Sequence, residues 1–232
     1  MVVFVHGEAM RVALAQQTGV HKDRISIYKV PVKKVVPVAA NTVGQPDCIR
    51  LLFCGVVRQD KGLDILCEAL SKCAAPARWR LRIAGSARQV GEEYVYALTK
   101  RYSIGRNCSY NLKYLSSSEL DNEFQNADIV VLPYRLGFIA QSVVMTDAIR
   151  WKKPVIVTEH SQNGYDAQRY RLGWVFRSEN IDSLVEALNM AIDEMSRGNP
   201  DFGFDEFIEA HSPFNVAKSI VQCTSDKYQM CN

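Results

Sequence analysis

The chain has 232 residues, 47% of them hydrophobic and 23% charged, with a net charge of +3. That composition belongs to an ordinary globular protein with enough chain for one full core. The small net charge argues against a dedicated nucleic-acid binder, which concentrates basic residues on one face. No uninterrupted apolar run is long enough to cross a bilayer, so contact with a membrane is at most peripheral.

The first stretch, Met-Val-Val-Phe-Val, is followed by His6 and Glu8 and is too short for a signal peptide. The seven cysteines are Cys48, Cys54, Cys67, Cys73, Cys108, Cys223 and Cys231. Their number is odd, none are spaced Cys-x-x-Cys, and several sit inside apolar segments. They read as reduced, buried thiols of a cytoplasmic protein rather than a disulfide framework or a metal site.

In chain order, Val2 to Val5 reads as a strand, Gly7 to Gln17 as a helix and Ile25 to Val30 as a second strand. This unit is too small to bury a core of its own. Val32 to Asp47 has no periodicity, carries Pro37, Gly44 and Pro46, and reads as a linker. From Ile49 the pattern becomes regular. Strands are expected at Ile49 to Cys54, Trp79 to Ala84, Cys108 to Tyr114, Ile129 to Leu132, Val155 to Val157 and Gly173 to Phe176. Helices are expected at Leu63 to Cys73, Glu92 to Arg101, Gln141 to Arg150, Tyr165 to Tyr170, Ile181 to Met195, Phe202 to Ala210 and Pro213 to Tyr228, with one more capped by Ser116 or Ser117. Strands alternating with helices define an α/β protein built on a doubly wound, Rossmann-like parallel sheet. Ligands of such sheets bind at the carboxyl ends of the strands.

Two stretches point to that edge. Gly55-Val56-Val57-Arg58-Gln59-Asp60-Lys61-Gly62 joins a strand to a helix. It lacks the Walker spacing. Taken alone, Arg58 and Lys61 read as solvated loop residues rather than ligands. The second is Pro133-Tyr134 followed by Gln141-Ser142-Val143-Val144, Asp147-Ala148 and Lys153-Pro154-Val155-Ile156. Here a helix start offers backbone N–H groups and a positive dipole end, a seat for phosphate. Gln141 and Ser142 serve equally as simple helix caps.

Together the two stretches resemble the donor-site motifs of the group 1 glycosyltransferases of the GT-B fold. The first resembles the family's Gly-x-x-Arg-x-x-Lys-Gly signature. The second resembles a subgroup that reads Pro-Tyr, Gln-Ser-Gly-Val and Gly-Lys-Pro-Val-Ile. The chain departs from the family pattern in three places: Val143 replaces a Gly, Asp147 replaces the second Glu, and Ile139 stands at the first Glu position.

The resemblance implies a retaining glycosyltransferase whose donor is a nucleoside-diphosphate sugar and which needs no other cofactor and no metal. It assigns catalysis to Arg58, Lys61 and Asp147, the two cations stabilising the departing diphosphate and the carboxylate holding the ribose. Donor binding would involve Gly55, Arg58, Lys61, Gly85, Tyr114, Gln141, Ser142, Val143, Val144 and Asp147, with the base lying by Lys113 and Tyr114. It implies a glycan or lipid-linked acceptor, held by another domain, and work in bacterial polysaccharide or cell-envelope synthesis at the inner face of the membrane.

By the same resemblance, residues 1–37 are the tail of an N-terminal, acceptor-side Rossmann domain with its linker, and residues 38–232 the donor-binding domain. Phe214, Val216, Ile220 and Val221 would then present an apolar face to a complementing N-terminal domain or to a second copy. His6 would face the cleft as an acceptor-side polar group. The alternative reading is a non-catalytic or split-subunit module that binds a nucleotide sugar. A generic dinucleotide binder is disfavoured, since Gly-x-Gly-x-x-Gly is absent.

Overall fold

A computed structural model describes residues 3–32, 48–198 and 200–229. The predicted linker, apart from Val32, lies outside the described residues, as do Val2, Cys231 and the side chain of Cys223.

The chain opens with β1 (Val3–Val5), α1 (Glu8–Thr18) and β2 (Ile25–Ile27). β2 is shorter than predicted because its parallel partner β1 offers only three residues, Val3 opposite Ile25 through Val5 opposite Ile27. There follow β3 (Ile49–Cys54), α2 (Leu63–Lys72), β4 (Trp79–Ala84), α3 (Glu92–Arg101), β5 (Cys108–Asn111), α4 (Ser117–Asn126) and β6 (Ile129–Leu132). The chain continues through α5 (Val143–Arg150), β7 (Val155–Thr158), α6 (Gln162–Tyr170), β8 (Gly173–Phe176), α7 (Ile181–Arg197), α8 (Phe204–Ala210) and α9 (Pro213–Gln229).

The six strands β3 to β8 form one parallel sheet in the order β5-β4-β3-β6-β7-β8. Every residue of β6 and β7 is buried, which is why both read as unbroken apolar runs. β3 shows how the sheet divides its core. Ile49, Leu51 and Phe53 pack with α2, α3 and α7 on one face, while Leu52 and Cys54 pack with α4, α5, α6 and α8 on the other. Trp79 and Phe124 are buried in the two halves.

The order reverses direction at β3 and β6. This is the topological switch point, and the crevice beyond it is where a ligand would sit. β5 stops at Asn111, three residues earlier than predicted, and leaves Leu112 to Leu115 as a loop above that crevice.

The β1-α1-β2 unit docks on the α6 side. Val32 N–H donates to the His211 carbonyl at 2.8 Å and Lys29 Nζ to the Tyr170 hydroxyl at 3.2 Å. Cys54, Cys67 and Cys73 are buried and unpaired, and Cys48 and Cys108 are partly exposed and unpaired. On α9, Val216 is buried while Phe214 and Val221 are exposed, so the four predicted apolar residues do not share one face. Among the described residues no helix is long and apolar enough to cross a membrane.

Candidate functional site

Three loops meet beyond the carboxyl ends of β3, β4 and β6. Gly55 donates its N–H to the Ala84 carbonyl at 2.9 Å, and Gly85 donates to the Asn111 carbonyl at 2.8 Å. Gly85 has φ +129°, and a Cβ built there would lie 2.1 Å from the Gly55 carbonyl oxygen. Backbone therefore rests on backbone, and only glycine fits. Gly62 is similar: its φ is +67°, and a Cβ would lie 2.0 Å from the Pro133 carbonyl oxygen. The loop after β3 is thus pressed against the end of β6.

That loop carries the two cations. The Arg58 guanidinium forks onto Asp60, with Nε donating to Oδ1 at 2.8 Å and Nη2 to Oδ2. This pairing holds the Asp60 carboxyl below its usual range. Sequence reading did not single out Asp60, although it lies between the two cations of the motif. Lys61 is half-buried, with Nζ 3.7 Å from the Tyr134 ring centre and 3.9 Å from that of Phe138. Burial pushes the Lys61 amine down to about 8, with Arg58 adding to the effect and Asp60 opposing it.

The helix predicted from Gln141 starts two residues later, at Val143. Gln141 instead turns inward: its Oε1 accepts from Val30 N–H at 3.4 Å and its Nε2 donates to Thr146 Oγ1 at 3.5 Å. Ser142 is buried, with its hydroxyl 3.2 Å from the Tyr134 hydroxyl. Its N–H donates to Asn163 Oδ1 at 2.8 Å, which removes it from the set expected to face phosphate. The first helical bond runs from Thr146 N–H to the Ser142 carbonyl. Helix geometry therefore directs the N–H groups of Val143, Val144 and Met145 out of the helix start. The Val144 side chain lies beside Gly55, while that of Val143 is 63% exposed. Ile139 contributes its carbonyl, which accepts from Gln162 N–H at 3.1 Å.

Because α5 begins at Val143, Asp147 stands just over one turn into it. Its Oδ1 is 3.1 Å from Arg150 Nε, close enough for an ion pair but not aligned as a hydrogen bond. Arg150 also pairs with Asp121, which accepts from Trp151 Nε1 at 3.1 Å. Asp147 lies near the end of β3. Burial first, then Glu123 and, less strongly, Asp147 raise the Cys54 thiol to about 12, against a smaller opposing contribution from Gly55 N–H.

The loop after β5 presents Tyr114, 83% exposed. Lys113 pairs with Glu119 at 2.6 Å, and Glu119 completes a capping box with Ser116. Beneath the loop, Arg82 forks onto Glu123 through two bonds of 2.8 Å, and Asn111 Nδ2 donates to Glu123 Oε1 at 2.9 Å. His6 is taken up by Tyr28, whose hydroxyl is 3.0 Å from its Nε2.

The structure thus brings together Gly55, Arg58, Lys61, Gly85, Val143, Val144 and Asp147. Gln141 and Ser142 support the site from within, and Tyr114 stands on the loop after β5. Two cations and a helix start thus lie at the switch point of the sheet, the edge at which such sheets bind ligands.

The sequence profile of the group 1 glycosyl transferases matches residues 48–194, well over half of the chain. The chain belongs to that family. An uncharacterized glycosyltransferase of Methanocaldococcus jannaschii is 26% identical over 197 residues, covering 76% of this chain and 45% of that protein. Among solved structures, the lipopolysaccharide outer core galactosyltransferase WaaB in its apo form superposes with a TM-score of 0.80 at 16% identity, over 97% of this chain and 62% of that one. HepE of Anabaena in complex with UDP and glucose superposes with a TM-score of 0.71 at 14% identity, over 97% and 63%. At such identities the likeness is one of fold. The chain spans less than two thirds of the length of each of these proteins.

Proposed function

We propose that this chain carries the donor site of a retaining glycosyltransferase. It moves a sugar from a nucleoside diphosphate to a glycan or lipid-linked acceptor in bacterial polysaccharide or cell-envelope synthesis, in the cytoplasm and at most peripherally on the membrane. The observation that carries the reading is that Val144 of the α5 start lies against Gly55, which rests on Gly85 and leads into the loop of Arg58 and Lys61.

The diphosphate lies across that floor. Its oxygens take the N–H groups of Val143 to Met145 and compete with Asp60 for Arg58. An exposed Arg–Asp pair contributes at most about 1 kcal/mol, so a doubly charged diphosphate displaces it. As the sugar–oxygen bond breaks, negative charge collects on the leaving diphosphate, and Arg58, Lys61 and the helix dipole stabilise it in place of a metal. Asp147 takes the ribose hydroxyls, and the backbone by Lys113 and Tyr114 takes the base. Residues 1–37 belong to the acceptor-side Rossmann domain.

Titration calorimetry against UDP, GDP, ADP and their sugar conjugates tests the reading. Binding abolished in Arg58→Ala/Lys61→Ala supports it and names the base. Binding that survives the double substitution overturns it.

A second reading is a nucleotide-sugar-binding module without turnover of its own, completed by an N-terminal domain or a second copy. It is favoured by Ile139, which offers no carboxylate to the sugar, and by the exposed Phe214 and Val221. Binding of a sugar nucleotide without hydrolysis or transfer would select it.

A further inference from the structure

We infer that Arg135 is a positioning residue: it clamps the loop bearing Arg58 and Lys61 to the loop that leads into α5. Its backbone N–H donates to the Asp60 carbonyl at 3.0 Å, and its Nε donates to the Gln59 carbonyl at 3.0 Å. Nη2 donates to Asp64 Oδ2 at 2.5 Å, on the first turn of α2, and Nη1 to Glu179 Oε1 at 3.2 Å, after β8. All three guanidinium nitrogens are engaged, so Arg135 is held by protein groups rather than pointed at a ligand. A planar fork of this kind serves several acceptors in fixed directions, which a lysine cannot do.

The clamp acts on both sides of the cation site. On one side it grips the two residues between Arg58 and Lys61. On the other, the Arg135 carbonyl accepts from Phe138 N–H at 2.9 Å, which sets the ring that lies 3.9 Å from Lys61 Nζ. Its neighbours Tyr134 and Pro133 supply the second ring over Lys61 and the carbonyl against Gly62. Arg135 therefore fixes how far the ammonium stands from the α5 start. An open cavity of about 730 Å³, lined by Asp64, Tyr94, Arg135 and Leu136 among others, adjoins the clamp. A smaller side chain there removes the three guanidinium bonds without leaving a hole in the core, while the main-chain bonds to Asp60 and Phe138 stay.

The inference rests on the reading of Arg58 and Lys61 as diphosphate ligands. The experiment compares wild type, Arg135→Ala, Arg135→Lys, Glu179→Gln and Arg58→Ala/Lys61→Ala, titrated with UDP, GDP and ADP. Arg135→Ala is expected to weaken the tightest of these about tenfold, the loss of one charged hydrogen bond's worth of preorganisation. Arg135→Lys is expected to recover little of that, and Glu179→Gln to lose less. Without nucleotide, hydrogen exchange of the Lys61 and Gly62 amides, which donate to Arg58 and Gln59 carbonyls, rises in Arg135→Ala while that of Leu66 to Leu70 stays as in wild type.

Wild-type affinity in Arg135→Ala, full rescue by lysine, or unchanged exchange at Lys61 and Gly62 overturns the inference alone. If wild type binds none of the three nucleotides, or Arg58→Ala/Lys61→Ala binds as wild type does, the donor-site reading fails and the inference falls with it.

Discussion

The Lys61 ammonium lies 3.7 Å from the centre of the Tyr134 ring, closer than the 3.9 Å to Phe138, and rests over both rings where they meet edge to face at 4.6 Å. The aromatic faces attract the cation by about 1–2 kcal/mol. Burial still prevails, and the amine falls from its ordinary range to about 8. The amine therefore gives up its charge about one pH unit above neutrality.

A proton linkage follows for donor binding. A diphosphate favours the charged amine, so it raises the Lys61 pKa and binding takes up a proton around pH 8. Affinity for a nucleoside diphosphate is then steady below pH 7 and falls above 8 by up to about tenfold per pH unit. Calorimetry at pH 8 in two buffers of different ionisation enthalpy measures the uptake. Lys61→Arg, which stays charged, is expected to show neither the uptake nor the slope. No proton uptake by wild type would sink the idea.

Asp166 and His211 give opposite acid responses. Burial raises the Asp166 carboxyl to about 6, against a bond from Gln162 Nε2 and the charges of Lys29 and Arg169. Burial lowers His211 to about 4, although its ring donates to the Phe207 carbonyl at 2.8 Å. A raised carboxyl stabilises the fold below pH 4 and loses that contribution as pH rises through 6. A lowered imidazole stabilises it above 6.5 and loses that as pH falls through 4. Each is worth about 3 kcal/mol, and they largely cancel between pH 4 and 6. Asp166→Asn should therefore expose a steep loss of stability on acidification that wild type lacks. It should also stabilise the fold at pH 7 and above, since Asp166 Oδ2 is buried without a partner. Denaturant midpoints from pH 4 to 8 measure both effects.

Gly85→Ala places a methyl group 2.1 Å from the Gly55 carbonyl in a backbone conformation with φ +129°. The strain should cost about 1–3 kcal/mol and push Gly55 toward Val144, into the diphosphate's place. The expected result is a lowered melting temperature together with a loss of nucleotide affinity larger than that of an equally destabilising change in α9. Affinity unchanged in a folded Gly85→Ala would remove Gly55 from the site floor.

Asp147 is assigned to the ribose, so wild type should discriminate UDP, GDP or ADP from its 2′-deoxy analogue. Asp147→Ala should abolish that discrimination and weaken the ribonucleotide by about 1.5–3 kcal/mol, the range for hydrogen bonds to a charged group. Equal loss for both analogues would mean that Asp147 serves only its pairing with Arg150.

Much of the fold was legible because its signals are local. The apolar runs at Ile129 to Leu132 and Trp79 to Ala84 became strands at those bounds, and the glycines of the first motif marked a real turn. The errors fell where a distant partner overrode local pattern. Gln141 reads as the start of a helix, yet its side chain is drawn to Val30, 111 positions away. Cys108 to Tyr114 keeps its alternation beyond Asn111 with Leu112, Lys113 and Tyr114, but pairing with β4 ends at Ala84. Arg135 carries no local sign of its role, because Asp64 and Glu179 lie 71 and 44 positions away in the chain. A lone arginine beside Pro-Tyr looks like any other surface residue.

β3 is joined to β4 through six residue pairs but to β6 through only two, Leu51 with Ile129 and Leu52 with Val130. That seam divides the sheet into two three-stranded leaves, whose apolar cores nevertheless run across it on both faces. The cations ride on one leaf and the helix start on the other. Because that packing is shared, the two halves are held at a fixed spacing by the core beneath and, at the open end, by Gly62 against Pro133 and Arg135 on Gln59 and Asp60.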